Sequence, residues 1–175
     1  IHPPNSKMKV RDFHFTFWRV NSLNLNIVLY KPEIPQNTGN IARTCVLTDS
    51  VLHLIKPLGF SIDDKAVKRS GLDYWKDLKL EVHESYEDFM AKYGEQRIFL
   101  ATTHGGKFYN EESYKPGDFI MFGKESSGVP EEVHNAHKGI RIPMIKTSTR
   151  SLNLSNTVCT IAYEALRQMD FPNMK

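Results

Sequence analysis

From residue 25 onward the chain alternates short apolar runs with segments of helical periodicity. Asn26-Ile27-Val28-Leu29-Tyr30 and Val51-Leu52-His53-Leu54-Ile55 are nearly unbroken apolar stretches of strand length, the pattern of strands buried on both faces. The second is ended by Pro57 and Gly59. Leu78–Val82, Arg97–Thr102, Phe119–Phe122 and Gly139–Pro143 read as four more strands. Between them, helices are predicted from about Gly39 to Leu47 with Asn37 or Thr38 as the cap, from Asp63 or Asp64 to about Arg69, and from Ser85 to near Gly94. The last helix is the clearest, because Val158, Ile161, Ala162, Ala165, Leu166 and Met169 form one continuous apolar face. Strands alternating with helices predict an α/β fold, a mainly parallel sheet with helices on both faces. In such sheets ligands bind beyond the carboxyl ends of the strands.

Residues 1–23 follow a different pattern. They read as an extension, extraneous or accessory, with Phe13, Phe15 and Phe17 alternating like a short strand, and residues 24–175 read as one domain. The extension also carries the charge. Lys7, Lys9, Arg11 and Arg19 face only Asp12, so the net charge of +3 belongs to this segment and the remainder is balanced. A basic surface for RNA must then come from clustering or from dimerisation. One cluster, Lys65, Lys68, Arg69 and Lys76, is interrupted by Asp63, Asp64, Asp73 and Asp77 and reads equally well as a solvated mixed-charge face. No apolar run approaches a membrane span and no signal peptide is visible, which predicts a cytoplasmic protein whose Cys45 and Cys159 are reduced core thiols.

Three polar junctions stand at predicted strand ends or helix mouths. They are Pro35-Gln36-Asn37-Thr38-Gly39-Asn40-Ile41-Ala42-Arg43, Phe122-Gly123-Lys124-Glu125-Ser126-Ser127-Gly128-Val129-Pro130, and Arg150-Ser151-Leu152-Asn153-Leu154-Ser155-Asn156. On composition alone each is a capped strand–turn–helix connection. In this order, and with Gly71-Leu72-Asp73-Tyr74-Trp75, they resemble the motifs of the SPOUT class of RNA methyltransferases. The match is to its ribose 2'-O-methylating branch, and within it to the enzymes that act on the wobble nucleotide of leucine tRNAs. The resemblance runs from about Leu25 to about Pro172. It implies a C-terminal trefoil knot, a homodimer, a tRNA anticodon stem-loop as partner and S-adenosylmethionine as cofactor. It implies cofactor contacts at Ala101, Thr102, Thr103, Gly123, Ile142, Ser151 and Leu152, with Gly123 letting backbone approach a flat ligand. Arg43 falls on the position proposed as catalytic in related enzymes. A guanidinium stays protonated at ordinary pH, so gripping a phosphate and stabilising the developing alkoxide suits it better than acting as a base. Asn40, Asn153 and Tyr163 fall where substrate is bound. For the asparagines turn closure and capping remain open, capping above all for Asn37 and a structural hydrogen bond for Asn156. For Tyr163 a half-buried core position remains open.

Other chemistries find less support. Seven histidines show no HxH, HxxxH or Cys–His spacing, so no metal site is expected. GxGxxG and the P-loop pattern are absent. His104-Gly105-Gly106 has no nucleophile elbow to serve, and Ser126-Ser127 beside Glu125 reads as a hydrogen-bonded loop. The remaining alternatives are methylation of another tRNA or rRNA nucleotide, a non-catalytic RNA-binding protein on the same fold, and a flavodoxin-like nucleotide-binding domain.

Overall fold

The computed structural model describes residues 24–62, 75–147 and 150–175. The predicted helix at 63–69, most of the basic cluster, Gly71–Tyr74 and the N-terminal extension lie outside the described residues. In chain order the elements are β1 (Asn26–Tyr30), α1 (Pro35–Leu47), β2 (Val51–Ile55), β3 (Leu80–His83), α2 (Tyr86–Tyr93) and β4 (Ile98–Ala101). They continue with β5 (Lys107–Phe108), β6 (Phe119–Phe122), α3 (Glu131–Ala136), β7 (Lys138–Arg141) and α4 (Leu154–Gln168). The strands form one sheet in the order β3-β2-β1-β6-β4-β7-β5, and every pairing is parallel.

Alternation along the strands divides the core between two faces. Ile27, Leu29, Leu52, Leu54, Phe99, Ile120 and Phe122 pack with Ile41, Ala42 and Cys45 of α1 and with Val158, Ile161, Ala162, Ala165 and Leu166 of α4. Val28, Tyr30, Ile55, Leu100, Phe119 and Met121 point the other way, onto Phe89 and Tyr93 of α2 and Val133 of α3. Both faces are therefore dry, which is why the strands read as unbroken apolar runs. Ser85 caps α2 as expected, its hydroxyl accepting from the Asp88 N–H at 3.1 Å.

Four expectations are corrected. Helix α1 starts at Pro35, not Gly39, with Ile34 at the cap position, and Asn37 and Thr38 are buried inside it. Proline suits the first helical position because its missing N–H would have no intrahelical partner there. The strands expected over Leu78–Val82, Arg97–Thr102 and Gly139–Pro143 are Leu80–His83, Ile98–Ala101 and Lys138–Arg141. A seventh strand, β5, is only two residues long and carries no readable alternation. Of the two cysteines, Cys45 is buried but Cys159 is exposed on α4.

Candidate active site

The three polar junctions meet beyond the carboxyl ends of β1, β4 and β6. Their joining is reciprocal. The Glu125 carboxylate accepts from the backbone N–H groups of Glu33 (2.8 Å) and Ile34 (3.2 Å) and from Asn37 Nδ2 (3.1 Å). In return the Glu33 carboxylate accepts from the Ser126 N–H and hydroxyl, both at 2.9 Å. Those two bonds hold the Glu33 carboxyl below the usual carboxylate range. Helix α1 has no side-chain cap of its own. Its mouth instead faces a carboxylate from a loop some ninety residues away in sequence, on the order that a helix dipole favours. Asn153 completes the tie. Its Oδ1 accepts from the Ser155 N–H at 2.8 Å and caps α4, while its Nδ2 donates to Asn37 Oδ1 at 3.0 Å. Asn37 is thus a bridge between two loops and not the cap of α1. Asn156 leaves its side chain exposed on the first turn of α4.

Between these loops lies a cleft of about 610 Å³, within the range that holds small-molecule cofactors. Ala101, Thr102, Thr103, Gly123, Ile142, Ser151 and Leu152 all line it, together with Asn153. Leu100, Phe122, Ile140, Ile142 and Leu152 give it apolar walls, and the surrounding loops give it polar rims. This mixture suits a ligand with a flat ring and a charged tail. Thr102 is held in place: its Oγ1 accepts from the His104 N–H at 3.1 Å and lies 3.3 Å from His134 Nε2. Gly123 has a structural part besides the one expected of it. A Cβ there would stand 2.6 Å from Cα and C of Gly128, so the missing side chain closes the loop on itself. The loop is cinched by the pair Lys124 N–H to Gly128 O (3.1 Å) and Gly128 N–H to Lys124 O (2.9 Å), with Gly128 at φ +66°.

Arg43, Asn40 and Tyr163 do not line the cleft. Asn40 and Arg43 are exposed on α1, where Arg43 has an interaction partner within the chain. Tyr163 is 40 % exposed on α4, so it is not a core tyrosine. Helices α1 and α4 pack against each other, which brings their outer faces side by side. Cleft and helix faces are therefore separate groups of residues.

Residues 24–163 match the model of the SpoU rRNA Methylase family. The chain belongs to that family. A protein of Escherichia coli (strain K12) named tRNA (cytidine(34)-2'-O)-methyltransferase is 47% identical over 151 residues, which are 85% of this chain and 96% of that protein. A solved structure described as "Structural insights into the 2-OH methylation of C/U34 on tRNA" superimposes with a TM-score of 0.82 at 43% identity, covering 85% of this chain and 98% of the other. The SpoU methyltransferase AviRb from Streptomyces viridochromogenes, solved in complex with AdoMet, shares the fold with a TM-score of 0.76 at 23% identity, over 87% of this chain and 63% of its own.

Sequence reasoning placed Glu125 in a hydrogen-bonded loop, as found, but missed its reach to another junction, and missed Glu33 and His134 altogether. Glu33 and Glu125 hold two junctions together, and His134 of α3 braces the Thr102–His104 turn. A carboxylate beside two serines in a Gly-bounded loop was a visible signal for Glu125. For Glu33 and His134 nothing local marks the role, because their partners are distant in sequence.

Proposed function

We propose that this protein methylates the ribose 2'-hydroxyl of the wobble nucleotide in tRNA, cytidine or modified uridine 34 of leucine tRNAs, using S-adenosylmethionine. One observation carries the reading. A chain whose three polar junctions converge on a cofactor-sized cleft is 47% identical, over most of its length, to a protein named for that reaction. The bound cofactor supplies an electrophilic methyl group on a sulfonium. Ala101, Thr102, Thr103, Gly123, Ile142, Ser151 and Leu152 would hold it through apolar walls and loop backbone. Arg43 acts on the other reactant: its protonated guanidinium grips the phosphate next to the target ribose and stabilises negative charge growing on the 2'-oxygen. Being protonated, it does not accept the 2'-hydroxyl proton, which leaves to solvent. Asn40 and Tyr163 contact the anticodon stem-loop from the same side. Asn153 positions substrate indirectly, through the mouth of α4.

Two copies make the substrate surface. Leu47, 64 % exposed on α1, and Tyr163 on α4 support a homodimer built on those helices, with the C-terminal segment threaded as a trefoil knot. Among the described residues no helix is long and apolar enough to cross a membrane, which agrees with a cytoplasmic enzyme acting on tRNA. The test is mass mapping of nucleosides in tRNA incubated with and without the protein and S-adenosylmethionine. A 2'-O-methyl group appearing at position 34 is expected. Methylation only at another nucleotide, or none, overturns the assignment.

A further inference from the structure

Away from the β4, β6 and β7 residues that line the cleft, strands β2 and β3 bring together three side chains that no spacing along the chain announces. In the parallel register His53 stands opposite Glu81 and Ile55 opposite His83. Glu81 and His83 are two residues apart, so both project from the face that carries His53. His53 Nδ1 lies 3.1 Å from His83 Nε2, and Glu81 Oε2 lies 4.0 Å from each of those nitrogens. That oxygen is too far to hydrogen-bond to either ring. The three atoms instead outline a triangle of the size that surrounds a shared ion. Around a tetrahedral zinc with bonds near 2.0–2.2 Å, ligand atoms stand roughly 3.3–3.5 Å apart. Reaching that spacing takes an approach of roughly half an ångström by the carboxylate and a parting of roughly 0.2 Å or more by the two nitrogens.

The surroundings orient these donors. Asn26 Nδ2 donates to the Gly117 carbonyl at 3.0 Å, which turns its Oδ1 toward His53 Nε2 at 3.1 Å. His53 therefore carries its proton on Nε2 and presents the Nδ1 lone pair to the triangle. A ring nitrogen fixed by a polar partner on its far side is the usual support of a ligating histidine. Glu81 is held likewise: Tyr93 OH shares its one proton between the two carboxylate oxygens, at 2.9 and 2.8 Å, and Lys92 Nζ donates to Oε2 at 2.7 Å. His53 and His83 are 1% and 7% exposed, packed against Phe89 and Tyr93, which keeps the rings from rotating away.

We propose that His53, Glu81 and His83 bind one divalent transition-metal ion of the zinc type, pinning β2 to β3. Two imidazoles and one carboxylate match zinc and its neighbours better than calcium or magnesium, which take oxygen donors. A water completes the coordination, and His83 carries its proton on Nδ1 in the bound form. The role is structural, so it is independent of the methyl-transfer reading, and neither result bears on the other.

The probe is cobalt(II), titrated into the full chain after metal removal. The expected result is a visible d–d spectrum of tetrahedral type that saturates at one equivalent, is displaced by zinc, and shows no thiolate charge-transfer band. Glu81→Gln, at the margin of the cluster, should weaken binding ~10-fold or more, and His83→Gln should abolish it. Circular dichroism and S-adenosylhomocysteine binding report whether each variant is folded. Zinc should raise the Tm of the parent chain and leave that of Glu81→Gln unchanged. Absence of the cobalt spectrum in the folded parent overturns the proposal and leaves a metal-free ladder in which His83 donates to His53. So does a spectrum that persists undiminished in folded Glu81→Gln, which would place the ligands elsewhere.

Discussion

At the cleft, loops from separate parts of the chain converge and three of them are locked to one another. Glu33, Asn37, Glu125, Ser126 and Asn153 tie those three through side-chain hydrogen bonds. On the outer faces of α1 and α4, Asn40, Arg43 and Tyr163 each stand on a single helix and face solvent. One chain thus supplies a walled cleft and, apart from it, an open surface that the proposed function assigns to the second reactant. Binding sites for small molecules need convergence and enclosure. Recognition of a phosphate backbone needs exposed cations and hydrogen-bond donors, with the remaining walls coming from the nucleic acid or a second copy. The proposed function gives the two regions separable jobs, and substitutions can break or sharpen that separation.

The largest effect is expected at Arg43. Arg43→Ala should lower single-turnover methylation by ~10²–10³, the usual loss when one transition-state donor is removed. Arg43→Lys should restore little, because an ammonium does not reproduce the planar fork of a guanidinium. Thermal melting should hardly change for either variant; an equal fall in stability and activity would make Arg43 a structural ion-pair residue. Gly123→Val should act on the other region. Its side chain would meet the Gly128 backbone, so the loop must open. Calorimetry should find S-adenosylhomocysteine binding lost and Tm lowered together, whereas binding lost in a chain of unchanged Tm would mean the new side chain simply fills the ligand's space.

Glu125→Ala probes the joint between the regions. It removes three bonds to a carboxylate, two of them from the mouth of the helix that carries Arg43. The expected cost is about 2 kcal/mol, read as a fall in Tm of roughly 4–8 °C. Turnover should suffer more than cofactor affinity; the reverse pattern would show that the loop serves the cofactor alone. The smallest effect is expected on the open face of α4. Cys159→Ser should change stability by no more than about 0.5 kcal/mol. Cys45→Ser should be clearly destabilising in the same melting experiment, because Cys45 is fully buried in the core and burial pushes its thiol well up from the ordinary value.

The sheet was legible because strands dry on both faces are unbroken apolar runs, and α4 because its buried stripe spans the whole helix. That same stripe held the answer for Cys159, which lies one residue from Val158 and so about 100° around the helix. The start of α1 was misplaced because Asn37 and Thr38 outweighed Pro35, the residue that opens the helix; the Glu125 carboxylate that holds Glu33 and Ile34 just before it comes from a loop distant in sequence. The polar residues Asn37 and Thr38 looked like a cap and are instead buried within the helix. Strand β5, with two residues, is too short for periodicity to register; helix α3, with six, was announced only by its start, where Pro130 stands at the N-cap as the strand–turn–helix reading of that junction implies. All seven residues expected around the cofactor do share one cleft, because strand ends are the one place where an α/β fold brings its loops together. What sequence could not give was the network that holds them, or the cross-strand cluster of His53, Glu81 and His83, whose partners are set by register.

The separation of the two regions is tested most directly by titrating S-adenosylhomocysteine into Arg43→Ala by calorimetry, beside single-turnover methylation of the same preparation. The account predicts a Kd within a few-fold of the parent chain while methyl transfer falls by orders of magnitude. Cofactor affinity and turnover lost in parallel, or turnover kept in a well-folded Arg43→Ala chain, would contradict it.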